Sequence, residues 1–211
     1  HCVNYGHPIT QAIRLAGATP VEMGVVNRCT EEEIQHELKK PDIAAVLHVE
    51  SHHTVRYGWV KLPRVVELAH AAGVPVIVDG AAQDLRLREL IGMGPDLVIS
   101  SAHKFLNSTT GGVVAGRKDL VDAVYLQNRG IGRPMKAGKE AIVGAMAALT
   151  HRNGQNIDYW TAEQDRKVNA ILEQLRDIPG LALSVAPAPN GCPFSRVRLP
   201  PDPDVTGPAP D

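Results

Sequence analysis

Three short apolar segments, separated from one another by helical patterns, constrain the fold of this chain most strongly. They are IAAVLHVE (43–50), PVIVDG (75–80) and DLVIS (96–100). Each is as long as a strand and is apolar at successive positions, which is typical of strands buried on both faces in a parallel sheet. Helical patterns cover 62–72 and 85–94, between these segments. The sequence therefore predicts an α/β fold with a mostly parallel sheet and helices on both faces.

Further elements are predicted on either side of this core. Helices are predicted at 8–18, at 30–40 behind a Thr30–Glu33 capping box, and at 118–127, 139–149 and 159–178. Additional strands are predicted at TPVEMG (19–24), GGVVAG (111–116) and LALSVAPAP (181–189). We expect a large domain at 1–150, incomplete at its N-terminus. Residues 151–211 are expected to form a connecting helix and the truncated start of a small α+β C-terminal domain.

Composition excludes several classes of function. The 211 residues contain 22 Lys plus Arg and 23 Asp plus Glu, so the net charge of −1 offers no basic surface for nucleic acid. No apolar run approaches the roughly 20 residues that span a bilayer. The three cysteines form no CxxC pair, which argues against a disulfide scaffold or a cysteine-rich zinc site. We expect no signal peptide, a chain that is a fragment of a longer protein, and a cytoplasmic location.

Polar residues follow the predicted strands at the edge where open α/β sheets bind ligands. Asp79 ends one strand, and Lys104 follows the next strand along the chain. Because one strand–helix–strand crossover separates them, we expect both at one edge of the sheet. Pyridoxal phosphate (PLP) requires this pair, since a lysine forms a Schiff base with its aldehyde and a carboxylate keeps its pyridine nitrogen protonated. The small side chain of Ala81 would let the ring lie flat, and Ser101 and His103 would offer donors to the phosphate.

Simpler interpretations of the same residues remain open at this point. A lysine after a strand is often a solvated loop residue, and an aspartate there is often a helix N-cap. Three histidines, His48, His52 and His53, could suggest a metal, but neighbouring residues of a strand point to opposite faces and no acid is fixed beside them. No metal site is therefore expected. The basic residues of 129–139 could equally form a solvated surface.

Two longer segments resemble a known enzyme superfamily. VIVDGAAQ, followed by DLVISSAHKFLNSTTGGVVAGRKDLV, resembles the large domain of fold-type I PLP-dependent enzymes, with an aminotransferase class V-like fold. The continuation YLQNRGIGRPMKAGKEAIVGAMAAL and the earlier AIRLAGATPVEMG are similar to the selenocysteine synthase-like branch, which includes D-glucosaminate-6-phosphate ammonia lyases. The resemblance covers roughly residues 8–150.

The resemblance implies roles for individual residues. Lys104 would carry the Schiff base and act as general base or acid, and Asp79 would pair with the pyridinium nitrogen. The remaining cofactor contacts implied are Ala81, Ser101, His103, Gly111 and Gly112. Arg133 and Lys136 would contact an anionic group of the substrate.

The resemblance also implies an activity and an assembly. A lyase is expected, releasing ammonia from an amino-acid-like or amino-sugar-acid substrate by β-elimination, although this chain alone could be inactive. A PLP-dependent selenium, sulfur or amino-group transferase, an aldolase and a racemase stay open, because a protonated ring serves them all. A truncated, non-catalytic dimerisation or binding subunit is the alternative of another class. A homodimer or higher even oligomer is expected, without nucleic-acid or membrane partners.

Overall fold

A computed structural model describes residues 9–25, 28–50, 59–83, 86–187 and 195–200. The chain divides into two compact units, residues 1–150 and 151–211. The strands are β1 (Val46–Val49), β2 (Val76–Asp79), β3 (Leu97–Ser101), β4 (Gly112–Gly116), β5 (Ser184–Pro187) and β6 (Ser195–Arg198). The α-helices are α1 (Ile9–Leu15), α2 (Glu31–Leu38), α3 (Leu62–Ala71), α4 (Leu87–Gly92), α5 (Lys118–Leu126), α6 (Lys139–Gly154) and α7 (Ile157–Leu175).

The first unit is built on a four-stranded sheet in the order β1-β2-β3-β4. The first three strands are parallel, with Val49 opposite Asp79 and Asp79 opposite Ile99. The last strand runs antiparallel to β3 and places Gly112 opposite Ser101. The α/β class and the mostly parallel sheet predicted from the sequence are therefore confirmed.

One face of the sheet carries the hydrophobic core. Alternate strand residues, including Val76, Val78 and Val98, are fully buried on this face. They pack with residues of α2, α3 and α4, such as Ile34, Leu62, Val65 and Leu90. The opposite face is more open, because its strand residues are mostly half-buried and Ile99 is 38% exposed. Asp79, the last residue of β2, lies on this more open face.

Local sequence signals position the helices of this core. The capping box at the start of α2 forms as expected, with the Glu33 amide donating to Thr30 Oγ1 at 3.3 Å and the Thr30 amide donating to Glu33 Oε2 at 2.7 Å. Gly73 follows α3 with a φ of +71°, a conformation that glycine adopts without steric cost. Both features fix where the chain enters and leaves the helices beneath the sheet.

The predicted strand at 19–24 is wrong. Residues 18–23 form no ladder, and beside them there is only an isolated bridge between Val25 and Arg28. Pro20 has no amide hydrogen to donate, and Gly24 turns the chain with a φ of +75°. The segment therefore has no regular secondary structure, although its sequence resembles that of a strand.

The second unit combines one long helix with a two-stranded ribbon. Helix α7 begins behind Asn156, whose Oδ1 accepts a hydrogen bond from the Tyr159 amide at 3.0 Å. Strands β5 and β6 pair antiparallel, with Val185 opposite Val197, and α7 packs against β6. In the described parts of both units, no helix combines the length and apolarity that crossing a membrane requires.

A buried carboxylate ties together the edge of the sheet opposite to the predicted site. Asp96, 4% exposed, precedes β3 and accepts hydrogen bonds from the Val76 amide at 2.7 Å, from His70 at 2.9 Å and from Arg117 at 2.8 Å. Burial by itself raises the pKa of Asp96, but these hydrogen bonds outweigh it and lower the pKa below its ordinary value. The ionised side chain thus joins α3, β2, β3 and the start of α5.

We expect Asp96→Asn to lower the free energy of unfolding by about 2 kcal/mol, because it removes a buried charge that accepts hydrogen bonds from three other segments. Chemical denaturation at pH 7 would measure the loss. Since the folded-state pKa is depressed, the contribution of Asp96 is present above its unfolded pKa of about 3.9 and is lost as pH falls through the lower folded value. Asp122→Asn, which removes an exposed ion pair with Lys118, should change stability by less than about 0.5 kcal/mol. Equal effects of the two substitutions would contradict the interpretation.

Candidate functional site

The carboxyl ends of β1, β2 and β3 meet at one edge of the sheet, and Asp79 is the last residue of the central strand. Its Oδ1 accepts a hydrogen bond from the Ala81 amide at 3.0 Å, and its Oδ2 accepts none from the described residues. Helix α4 begins behind Arg86, seven residues later, so Asp79 does not cap it. The N-cap interpretation of Asp79 is therefore wrong, and one carboxylate oxygen stays available at the sheet edge.

The turn after β2 is hydrogen-bonded to β3, so the pairing of these two strands extends beyond the end of β2. The Gly80 amide donates to the Ile99 carbonyl at 2.8 Å, and the Ser101 amide donates to the Ala81 carbonyl at 3.1 Å. Ala81 and Ser101 are thus direct backbone neighbours. Ser101 shares a face of the sheet with Asp79 and lies about 7 Å further along, because Asp79 pairs with Ile99, two residues earlier.

Lys104 lies on a tight turn directly after β3. The Asn107 amide donates to the Lys104 carbonyl at 3.0 Å, and the Ser108 amide closes the turn on the Ala102 carbonyl at 2.8 Å. Ala102 and Leu106 are buried at 0% and 5% exposure and hold the turn to the body of the unit. His103 and Lys104 are exposed between these two anchors, and no carboxylate of the described residues pairs with the lysine amine.

The two glycines are held against the same turn. The Ala102 amide donates to the Gly111 carbonyl at 2.9 Å, and Gly112 lies opposite Ser101. A side chain at Gly112 would bring its Cβ to 3.3 Å from the Ser100 carbonyl, so a larger residue would crowd β3. The backbone of this glycine pair is therefore close to Ser101 and to the first residue of the Lys104 turn.

The two basic residues proposed for substrate are exposed and lie just before α6. Arg133 is in a short 3-10 helix, Arg133–Met135, and Lys136 follows it. A Cβ added to Gly111 would contact Cβ of Ala141 in α6 at 4.0 Å, so the start of α6 lies beside the glycine pair. Lys136 precedes Ala141 by five residues and is within about 18 Å of it along an extended chain.

The sequence analysis missed a buried charged cluster at the end of β1. Glu50, 5% exposed, contacts His48 Nε2 through Oε1 at 3.2 Å, and its Oε2 lies 3.7 Å from Arg86 Nη1. The ring of His48 packs edge-on against Trp59, with 6.2 Å between ring centroids. Glu50 comes directly after an apolar strand and Asp79 is the last residue of the next one, so an acid at the end of a strand was the signal that could have identified Glu50.

The other candidate ligands do not form a site among the described residues. No group of three or more His, Cys, Asp or Glu side chains in that part of the chain could hold a metal ion. His52 and His53, like Cys2 and Cys192, lie outside the described residues. Cys29 is half-buried, and burial raises the pKa of its thiol. Two surface clefts of about 460 and 500 Å³ beside α2 are lined by none of the proposed site residues.

The residues at the sheet edge suit the groups of PLP. The Lys104 amine, without a carboxylate partner in the described structure, can bind an aldehyde, and the available oxygen of Asp79 can accept a hydrogen bond from a protonated pyridine nitrogen. Comparison with known proteins decides the family. The family whose sequence model matches, over residues 4–150, is described as Cys/Met metabolism PLP-dependent enzymes. The chain belongs to this family. The expected cofactor, pyridoxal 5'-phosphate, is thereby confirmed.

Individual relatives give a narrower view within the family. The chain is 36% identical over 200 residues to D-glucosaminate-6-phosphate ammonia lyase of Salmonella typhimurium, covering 94% of this chain and 52% of the relative. It is also 36% identical over 208 residues to a 5'-C-glycyluridine monooxygenase-decarboxylase of a Streptomyces species, covering 98% and 52%. The chain therefore spans about half the length of these curated relatives.

A solved structure agrees with both the fold and the branch. The structure of a D-glucosaminate-6-phosphate ammonia-lyase superposes with a TM-score of 0.74 at 35% identity, covering 95% of this chain and 53% of that one. The resemblance to PLP-dependent enzymes of this branch, inferred from two sequence segments, is confirmed. The roles of individual residues stay predictions.

Proposed function

We propose that the intact protein is a PLP-dependent lyase that releases ammonia from an amino-acid-like or amino-sugar-acid substrate. The observation that carries the proposal is the meeting of Asp79 and the Lys104 turn at one sheet edge, through the hydrogen bond between Ser101 and Ala81. The 36% identity to an ammonia lyase supports the type of reaction. Because this chain spans about half of that relative, the proposal concerns the complete protein.

Each site residue has a defined task in this proposal. Lys104 Nζ would hold PLP through its aldehyde and, when free, would remove the proton from the substrate α-carbon. Asp79 would keep a proton on the pyridine nitrogen. Bound PLP would supply an electron sink for the pair left on the α-carbon. In the overall β-elimination that pair forms the bond to the β-carbon, the β-substituent leaves with its own bonding pair, and water then releases ammonia and an oxo acid.

The remaining residues hold the cofactor and the substrate. Ala81 would leave room for the ring, and Ser101 and His103 would donate hydrogen bonds to the cofactor phosphate. The backbone of Gly111 and Gly112 would lie near the same phosphate. Arg133 and Lys136 bind an anionic group of the substrate, which in the ammonia lyase relative is named as a phosphate ester.

The test is a product assay on the intact, PLP-loaded protein. D-Glucosaminate 6-phosphate and a panel of β-hydroxy amino acids would be supplied, with ammonia and oxo-acid products measured. Equal amounts of ammonia and oxo acid, formed without an amino-group acceptor, support the lyase. The equal identity to a monooxygenase-decarboxylase favours a second candidate, which would instead consume dioxygen and release carbon dioxide. Binding of PLP without turnover of any of these substrates would contradict the lyase proposal.

Arg133→Ala tests the substrate contact. Loss of a charge-assisted hydrogen bond to an anionic substrate should raise KM about tenfold, with a smaller change in kcat. Arg14→Ala, an exposed arginine on α1, is the matched control and should leave KM unchanged. Steady-state kinetics with the phosphorylated substrate would measure both. An unchanged KM in Arg133→Ala would remove this residue from the site.

Two further expectations concern the state of the protein in the cell. The homodimer or higher even oligomer stays a prediction, and so does the cytoplasmic location. Exposed apolar side chains of α5, α6 and the segment that joins them, including Tyr125, Met135 and Met146, are compatible with a covered surface in the intact protein.

A further inference from the structure

The charged cluster at the end of β1 is connected to the turn that carries Asp79 and Ala81. The Glu50 amide donates to the Asp79 carbonyl at 2.9 Å, so the two carboxylate residues are backbone neighbours at the sheet edge. The Glu50 side chain lies on the helix-covered side, where it contacts His48 and Arg86. The cluster is therefore joined to the end of β2 through the Asp79 backbone, and the Asp79 carboxylate takes no part in that contact.

Arg86 completes the connection from the other end of the turn. Its amide donates to the Gln83 carbonyl at 2.9 Å, and the Gln83 amide donates to the Gly80 carbonyl at 2.9 Å. The guanidinium, 10% exposed, binds Glu89 at 2.6 Å and lies 3.7 Å from Glu50. Glu50 thus makes two contacts here, with the Asp79 carbonyl through its backbone amide and with the Arg86 guanidinium through its side chain.

Packing leaves this turn little alternative space. Gln83 is 1% exposed, and a Cβ at Gly80 would lie 3.2 Å from Leu90 Cδ1 and 3.3 Å from the Ile99 carbonyl. The buried Glu50 carboxylate is faced by His48 Nε2 at 3.2 Å and by the Arg86 guanidinium at 3.7 Å, and burying the charge without such partners would cost several kcal/mol. Two backbone hydrogen bonds of 2.9 Å link Arg86 to Gln83 and Gln83 to Gly80.

We propose that Glu50 is a positioning residue that, through Arg86, fixes the Gly80–Gln83 turn and so sets Asp79 and Ala81 relative to Lys104. This inference rests on the proposed function for its catalytic consequence. Its structural content concerns the turn alone and is testable in protein that carries no cofactor.

Hydrogen exchange of backbone amides is the primary test. In Glu50→Gln, we expect the Ala81 and Gln83 amides to exchange about tenfold faster, because the variant removes the buried charge that faces Arg86 at 3.7 Å. Glu89→Gln is the matched control, because it removes the other, exposed carboxylate partner of Arg86 and leaves Glu50 in place. Amides of α3 should be unchanged in both variants. Equal exchange at Ala81 and Gln83 in the two variants would overturn the proposal.

A second variant keeps the test decisive if Glu50→Gln does not fold. Arg86→Lys retains the positive charge but loses the planar fork that spans two carboxylates, so it should accelerate the same two amides. Unchanged exchange in Arg86→Lys would overturn the proposal independently.

Kinetics then separate positioning from a general effect on folding. Per mole of bound PLP, Glu50→Gln should lower kcat about tenfold with KM unchanged, while Glu89→Gln keeps both constants. The double variant, Glu50→Gln with Arg86→Lys, should lower kcat no more than the more harmful of the two single substitutions, because both act on one turn. If the wild-type protein turns over substrate and Glu50→Gln has the same kcat, the positioning role of Glu50 is refuted and the proposed function stands. If the wild type binds no PLP, the proposed function fails, and the exchange result still decides the structural claim.

Discussion

Lys104→Ala is expected to lower kcat by about 10³-fold or more and to abolish covalent retention of PLP, because it removes both the amine that binds the aldehyde and the base that moves the substrate proton. The substitution should leave the fold intact, since Lys104 is exposed and its turn is held by buried Ala102 and Leu106. Activity and the visible absorbance of protein-bound cofactor, both measured after gel filtration of the intact protein, would show the loss.

Lys118→Ala is the matched control for this prediction. Lys118 is an exposed lysine at the start of α5 whose amine pairs with Asp122. Its removal should change neither the retained cofactor nor kcat. Retention of covalently bound PLP in Lys104→Ala would mean that another lysine holds the cofactor.

Asp79→Asn is expected to lower kcat by about 10²- to 10³-fold while PLP stays bound to Lys104. Loss of one preorganised electrostatic contact to a reacting group typically costs that much. The amide oxygen of asparagine can still accept the hydrogen bond from the Ala81 amide, so the turn should keep its shape. The change therefore isolates the charge at the pyridine nitrogen from the geometry of the sheet edge.

The controls for Asp79→Asn are the amount of bound cofactor and a distant carboxylate. Bound PLP per chain should equal that of the wild type, and Asp122→Asn should leave kcat unchanged. An Asp79→Asn protein with full activity and full cofactor would show that no carboxylate is needed at this position. The ring-pairing role of Asp79 would then be abandoned.

The parallel core of the fold was predictable because its signal is local and repeated. Each buried strand is a continuous apolar run, and helical patterns separate the runs, so the class follows from the crossover rule alone. Glycine and capping signals such as Gly73 and Thr30 then fix helix ends without information from the rest of the molecule. The false strand at 19–24 shows the limit, because a strand also needs a neighbour to pair with, and sequence alternation does not supply one.

The candidate site was predictable to the same extent and for the same reason. Asp79 and Lys104 follow neighbouring strands, so the topology that brings the strands together also brings these residues to one edge. The Glu50–Arg86 contact joins residues 36 positions apart through side-chain packing, and no local pattern encodes it. The Asp96 cluster likewise depends on partners from three other segments.

Chemical trapping of the cofactor would show which amine of the intact protein holds PLP. Sodium borohydride would fix PLP to the amine that holds it in the intact protein, and mass spectrometry of the digest would locate the modified lysine. The account predicts a single modified site, Lys104, with none in Lys104→Ala. A modification on Lys136, Lys139 or any other lysine, or a protein that traps no PLP, would contradict it.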